Sequence, residues 1–200
     1  MKRIGLLGGS FDPVHNAHLA LACVAVDTLA LDQLRWVPAG QPWQKTRRVT
    51  AAVHRLAMLE LAIAGEPRFV LERCEIDRAG PSYTLETVHA LHRREPDAQW
   101  YLIVGQDQFA NLPTWHGWQD LLSLVTLAVA ARPGAAVSVD AQLRALAYQV
   151  LPLDAMDISA SAIREHRRRG ESIDALVPPA VARYIERNAL YLPDRVHPGS

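Results

Sequence analysis

Two histidines three residues apart, His15 and His18, follow an apolar run, Ile4 to Leu7, and a glycine pair, Gly8-Gly9. At i and i+3 on a helix both rings share one face. Placed at the start of a helix expected over about 16–31, they stand at the positive end of its dipole, beside its unpaired first-turn amides. That arrangement suits a polyphosphate, and imidazole donors there stabilise phosphate oxygens whose charge grows during transfer. Gly8-Gly9 would let the backbone turn tightly and approach the ligand without Cβ clashes. Other readings stay open. A strand, a Gly-Gly turn and a helix also occur with no ligand at the turn. His-x-x-His could ligate a metal, but zinc needs a third and fourth partner, and the other histidines and both cysteines are scattered without ligand spacing. No protein-held metal is therefore expected. A dinucleotide-binding dehydrogenase is disfavoured because Ser10-Phe11-Asp12-Pro13 follows the glycines in place of Gly-x-Gly-x-x-Gly.

Further along, Asp107 follows Gly105 at the carboxyl end of an apolar strand, Trp100 to Val104, where open α/β sheets bind ligands. It suits a ribose or adenine donor, or it caps the next short helix. Thr84 stands where a helix begins, which by itself reads as a cap. Trp115, in a loop marked by Pro113 and Gly117, reads as a lid on the core or as a stacking surface for an electron-poor ring. Lys45, Arg47 and Arg48 form a basic loop that solvent alone can satisfy. Ser159, Ser161 and Arg164, after Ile158, read as a capped helix with a solvated basic face, or as a hydroxyl and a guanidinium one turn apart that grip phosphate.

The elements that must position these residues alternate regularly. The stretches 4–7, 34–37, 68–72, 100–104, 126–131 and 150–153 read as strands. Helical periodicity appears at 51–64 with Val53, Leu56, Ala57, Met58 and Leu61 inward and Thr50 as cap, at about 81–93, near 141–148, after Ser159 and after Pro178-Pro179. In the first helix, Leu19, Ala22, Cys23, Val26 and Ala30 form the expected apolar stripe. Right-handed crossovers then imply a Rossmann-like parallel sheet with helices on both faces and a small C-terminal helical extension. A single domain over 1–192 is expected, its helical extension about 157–192, with 193–200 a disordered tail. The chain has 200 residues, half of them apolar, and equal basic and acidic totals of 21. No global field draws it to nucleic acid or membrane, so phosphate recognition must be local. Cys23 and Cys74 read as buried free thiols in a reducing cytoplasm, and no apolar span is long enough for a membrane helix.

Gly8-Gly9-Ser10-Phe11-Asp12-Pro13-Val14-His15-Asn16-Ala17-His18-Leu19 resembles the signature of the nucleotidyltransferase superfamily with a His-x-x-His or His-x-Gly-His motif. Ile158-Ser159-Ala160-Ser161-Ala162-Ile163-Arg164 is similar to its second signature. Within the superfamily the chain most resembles the bacterial nicotinate-nucleotide adenylyltransferases, through Phe-Asp-Pro-x-His-x-x-His, Pro38 to Lys45, His54-Arg55, Ser82-Tyr83-Thr84, Gly105 to Trp115, Ala131-Arg132-Pro133-Gly134, and the ending from Leu176 to Tyr191. It departs at Ala175, commonly aromatic there, and at Ser10, where Thr is frequent. The resemblance implies ATP contacts at Gly8, Gly9, Ser10, Phe11, His15, His18, Gly105, Asp107, Ile158, Ser159, Ser161 and Arg164. It implies mononucleotide contacts at Lys45, Thr84, Trp115 and Arg132, and catalytic roles for His15, His18, Arg164 and Lys45. Mg²⁺ would be bound through the ATP phosphates. The implied reaction is adenylyl transfer from ATP to nicotinic acid mononucleotide in the cytoplasm, by a chain that could form a homo-oligomer. The alternatives are another small-molecule adenylyl- or cytidylyltransferase, or a nucleotide-sensing protein without turnover.

Overall fold

A computed structural model describes residues 1–40, 49–131, 143, 145–154 and 156–193. Among them, β1 (Arg3–Gly9), β2 (Gln33–Pro38), β3 (Phe69–Leu71), β4 (Gln99–Val104), β5 (Thr126–Ala131) and β6 (Gln149–Pro152) form one parallel sheet in the order β3-β2-β1-β4-β5-β6. Leu7 pairs with Trp36 on one side and Ile103 on the other, so β1 is central. Its apolar run has no alternation because both faces are covered. Ile4, Leu6, Trp100, Leu102 and Val104 pack with Val88 and Leu91 of α4 (Thr84–Arg94), Phe109 of α5 (Gln106–Ala110) and Leu121 of α6 (Trp118–Leu124). On the other face Leu7, Trp36, Tyr101 and Ile103 pack with α1 (Asn16–Thr28), α2 (Ala52–Ile63), α7 (Ala160–Arg168) and α8 (Pro179–Arg187). The expected parallel α/β architecture with a C-terminal helical part is thus the observed one. Strand order reverses between β1 and β4, and in such sheets the crevice beyond those strands' carboxyl ends is the place for a ligand. No helix among the described residues is long and apolar enough to cross a membrane.

Several local expectations change. Gly8 and Gly9 do not turn; they stay in β1, opposite Val37 and Pro38, and the reversal falls on Phe11, whose φ is 46°. A left-handed backbone costs an aromatic residue roughly 1 kcal/mol or more, and the burial of Phe11 against Trp36 and His18 offsets it. The inward face of α2 is Leu56, Leu59 and Ile63 with Met58, while Val53 is 66% exposed and Leu61 42%. Thr50 does not cap that helix; Ala51 is the N-cap, and the Thr50 carbonyl accepts from Arg55. In α1 the stripe is Leu21, Ala22, Ala25 and Val26, leaving Cys23 and Ala30 exposed. Cys23 is therefore not a buried thiol, and Cys74 is half-buried in a short helix, α3 (Cys74–Asp77), that periodicity is too brief to reveal. Of the helix expected near 141–148, residues 141, 142 and 144 lie outside the described residues, and the described 143 and 145–148 are not helical. The tail from 194 onward also lies outside them.

Candidate active site

A cleft of about 610 Å³ opens at the β1/β4 reversal. Its walls bring together Gly8, Gly9, Ser10, Phe11, His15 and His18 from β1 and α1, Gly105 and Asp107 after β4, Ile158 before α7, and Thr84 and Trp115 from the opposite layer. Ser159, Ser161 and Arg164 do not line it, though α7 starts beside its rim at Ala160. Lys45 and Arg132 lie outside the described residues.

The phosphate end is built from β1 outward. His15 is the N-cap of α1, and the two imidazoles stack with centroids 3.6 Å apart and planes 24° apart. The His15 backbone N–H donates to His18 Nδ1 at 3.2 Å, and the Asn16 N–H donates to the Leu176 carbonyl at 3.0 Å. Two amides at the helix start are thereby satisfied within the protein. Because Nδ1 of His18 accepts, its ring proton sits on Nε2. Burial lowers the His15 pKa from 6.5 to about 4, and burial together with His15 puts His18 well below its ordinary value. Both rings are neutral at pH 7. His15 Nδ1 is buried with no hydrogen-bond partner among the described residues.

The loop after β1 is held by its carbonyls. Arg55 donates from Nη1 to the Ser10 carbonyl at 2.9 Å, and Arg164 donates from Nη1 to the Asp12 carbonyl at 2.7 Å. Arg164 Nη2 donates to Ser161 Oγ at 3.1 Å, while Ser159 Oγ caps α7 by accepting the Ala162 N–H at 3.1 Å. Ser159 thus fills the role that a serine at a helix start takes most readily. The Asp12 carboxylate, fully buried, accepts from Tyr191 Oη at 2.8 Å and from the Thr50 N–H at 3.3 Å. Asp12, Arg55 and Tyr191 escaped the reading of residue types and spacing; Arg55 lay in the His54-Arg55 segment, while nothing local marked the partners of Asp12.

The opposite end is organised by α4. Thr84 is its first residue, not its cap; the N-cap is Tyr83, with no side-chain cap bond. The Tyr83 ring rests on His116, centroids 4.6 Å apart, and Leu85 fills the space that a Cβ on Gly117 would occupy, where φ is 60°. These contacts set the start of α4 beside half-buried Trp115. Asp107 lies in the first turn of α5, whose N-cap is Gly105, and makes no cap bond. Glu75, unassigned from sequence, also faces the cleft. Burial raises its pKa, opposed by hydrogen bonds from Thr87 (2.7 Å) and Ser82. Ser82 Oγ accepts the Gly40 N–H at 2.9 Å, and a Cβ on Gly40 would strike the Glu75 carbonyl. Among the described residues no cluster of three or more His, Cys, Asp or Glu could hold a metal ion.

Comparison with known proteins places this geometry. The family model described as cytidylyltransferase-like matches residues 6–166. A probable nicotinate-nucleotide adenylyltransferase of Methylibium petroleiphilum is 50% identical, covering 97% of this chain and 94% of that protein. The one from Bordetella petrii is also 50% identical, over 96% of this chain and 100% of its own length. Nicotinic acid mononucleotide adenylyltransferase of Plasmodium falciparum, solved in complex with NaAD, superposes with a TM-score of 0.80 at 20% identity, covering 96% of this chain and 98% of that one, a likeness of fold. Matched by that model over most of its length and half-identical to these proteins nearly end to end, the chain belongs to the nicotinate-nucleotide adenylyltransferases of the cytidylyltransferase-like family.

Proposed function

We propose that the chain transfers the adenylyl group of ATP to nicotinic acid mononucleotide, releasing pyrophosphate and forming deamido-NAD, a step of NAD biosynthesis. The observation that carries this reading is the joining of two unlike surfaces in one cleft: the neutral His15–His18 pair on one wall, and the uncapped start of α4 with Trp115 on the other. One surface suits a triphosphate and the other a flat acidic heterocycle.

In the reaction an oxygen of the mononucleotide 5′-phosphate attacks the α-phosphorus of ATP. The bond from that phosphorus to the α,β-bridging oxygen breaks, and its electron pair leaves with pyrophosphate. The nucleophile is already an anion, so no general base and no covalent intermediate are required. Positioning and charge neutralisation supply the acceleration. His18 donates its Nε2–H to the phosphates without first losing a proton, and its donor is fixed in place before substrate arrives. His15, with an unsatisfied ring nitrogen, lies against it. Arg164, anchored at the Asp12 carbonyl, brings positive charge to the edge of the same loop. Asp107 is placed for a ribose or adenine donor, and Lys45 and Arg132 are further proposed contacts. A divalent cation, Mg²⁺, would be held by the ATP phosphates and would neutralise part of their charge. The reaction belongs in the cytoplasm.

Pyrophosphate release measured with ATP and a panel of acceptors tests the proposal. Release that depends on nicotinic acid mononucleotide is expected. Release with a different acceptor alone would assign another transferase of the superfamily, and tight nucleotide binding without release would make the chain a sensor.

A further inference from the structure

The phosphate loop is closed from a distance by the last described part of the chain. After α8 the backbone turns back through two left-handed residues that are not glycine, Ala189 (φ 50°) and Tyr191 (φ 61°). Side chains resist that conformation, and here it is stabilised by what it delivers: the Tyr191 hydroxyl, donating at 2.8 Å to Asp12 Oδ1. The other carboxylate oxygen of Asp12 accepts the Thr50 N–H, and the carbonyl of the same residue accepts Arg164 Nη1. Asp12 is thus gripped at both ends, by its side chain from the C-terminal extension and by its backbone from α7. Burial beside the Asp12 carboxylate also raises the Tyr191 pKa, so the phenol remains a donor.

We infer that Tyr191 is a positioning residue for nucleotide binding: acting through Asp12, it fixes the carbonyl on which Arg164 is anchored and so sets how the chain engages the ATP phosphates. The inference rests on the adenylyl-transfer reading for the location of those phosphates. A second phenol provides a control. Tyr184 Oη lies 3.0 Å from His54 Nδ1, joining α8 to α2. Tyr191→Phe and Tyr184→Phe each remove one hydroxyl from the same extension, and each should lower the melting temperature modestly. Only one should alter catalysis.

The test is steady-state kinetics on the full chain, with melting temperatures alongside. In Tyr191→Phe, kcat/KM for ATP should fall about tenfold while the KM for the mononucleotide stays within about twofold, as expected when one buried hydrogen bond is lost from a positioning group. Tyr184→Phe should keep both constants within about twofold. Asp12→Asn should lower kcat/KM for ATP at least as much as Tyr191→Phe, since it also alters the oxygen that accepts the Thr50 N–H, and the double variant should lose little more than the larger single loss, because the Tyr191–Asp12 bond is common to both. Wild-type kinetics in Tyr191→Phe, or an equal kinetic loss in Tyr184→Phe, would overturn the inference. Calorimetric binding of tripolyphosphate to the wild type and Tyr191→Phe needs no turnover. Should the wild type release no pyrophosphate, the adenylyl-transfer reading fails, and weaker tripolyphosphate binding in the variant still supports the positioning role while equal binding refutes it.

Discussion

His18 accepts the backbone N–H of His15 through Nδ1 at 3.2 Å while the two rings stack 3.6 Å apart. An imidazolium would turn an N–H toward that backbone donor, so the contact and the charged form of His18 exclude one another. The same bond therefore selects the tautomer, keeps the ring neutral and leaves Nε2–H as the donor.

His18→Ala should lower kcat by two to three powers of ten with a much smaller change in the KM for ATP, the usual consequence of losing one preorganised donor to a developing oxyanion. His18→Asn, whose amide oxygen can still accept the His15 N–H, should show a similar loss with a smaller drop in melting temperature. Near-normal turnover in either variant would remove His18 from the mechanism.

The buried His15 makes stability depend on pH. Its folded pKa, about 4, lies below its ordinary 6.5, so between those values the unfolded chain binds a proton that the folded chain refuses. Stability is then complete above pH 6.5 and is lost as the pH falls toward 4, by roughly 3 kcal/mol for this group. Urea midpoints at pH 7 and pH 4.5 check this. The wild type should lose more than His15→Asn does, and parallel slopes for the two proteins would show that His15 ionises freely in the fold.

The β1–α1 unit was legible because Ile4 to Leu7 is apolar without alternation and the histidines fall at helical spacing; those local patterns carry most of the sheet as well. The role of Gly8-Gly9 was not legible. Both a turn and a bare strand end call for glycine, and what chose between them was Phe11, which takes the left-handed turn because Trp36 and His18 hold its ring. In α2 two stripes are nearly equally apolar, one through Val53, Ala57 and Leu61 and the other through Leu56, Leu59 and Ile63. The choice went to the second, the side that also buries Arg55 against the carbonyls of Ser10 and Thr50. Arg164 was found by its motif, but its anchor on Asp12 lies 152 residues away and the Tyr191–Asp12 bond spans 179, separations that no local pattern encodes.

Arg164 holds the Asp12 carbonyl with Nη1 and Ser161 Oγ with Nη2. Lysine carries the same charge on a single nitrogen and does not reproduce a planar fork that spans both acceptors. Arg164→Lys should therefore lose about tenfold in kcat/KM for ATP while the KM for the mononucleotide is nearly unchanged. Normal ATP kinetics in that variant would reduce the basic face of α7 to a solvated surface.

The choice between acid and amide forms of the pyridine base should be made at the start of α4. Tyr83, its N-cap, supplies no side-chain cap, and Thr84 and half-buried Trp115 share the cleft wall, held together by the Tyr83–His116 ring contact and by Leu85 over Gly117. First-turn amides only donate. They pair with both oxygens of a nicotinate carboxylate, whereas nicotinamide turns one NH₂ donor toward them and leaves an amide unmatched. A mispaired group in a partly buried site costs about 1–3 kcal/mol, which corresponds to a preference for the acid of roughly tenfold to hundredfold. The helix dipole adds to the preference in the same direction, because it favours a full negative charge over a neutral amide. Stacking on Trp115 is shared by both bases and sets affinity for the ring in general. Trp115→Ala should accordingly raise the KM for the acid and amide mononucleotides alike, with ATP unaffected, and leave their ratio close to that of the wild type. The ratio of kcat/KM values for the two mononucleotides in the wild type decides the question: equal values would exclude a carboxylate site at Thr84 even with adenylyl transfer established.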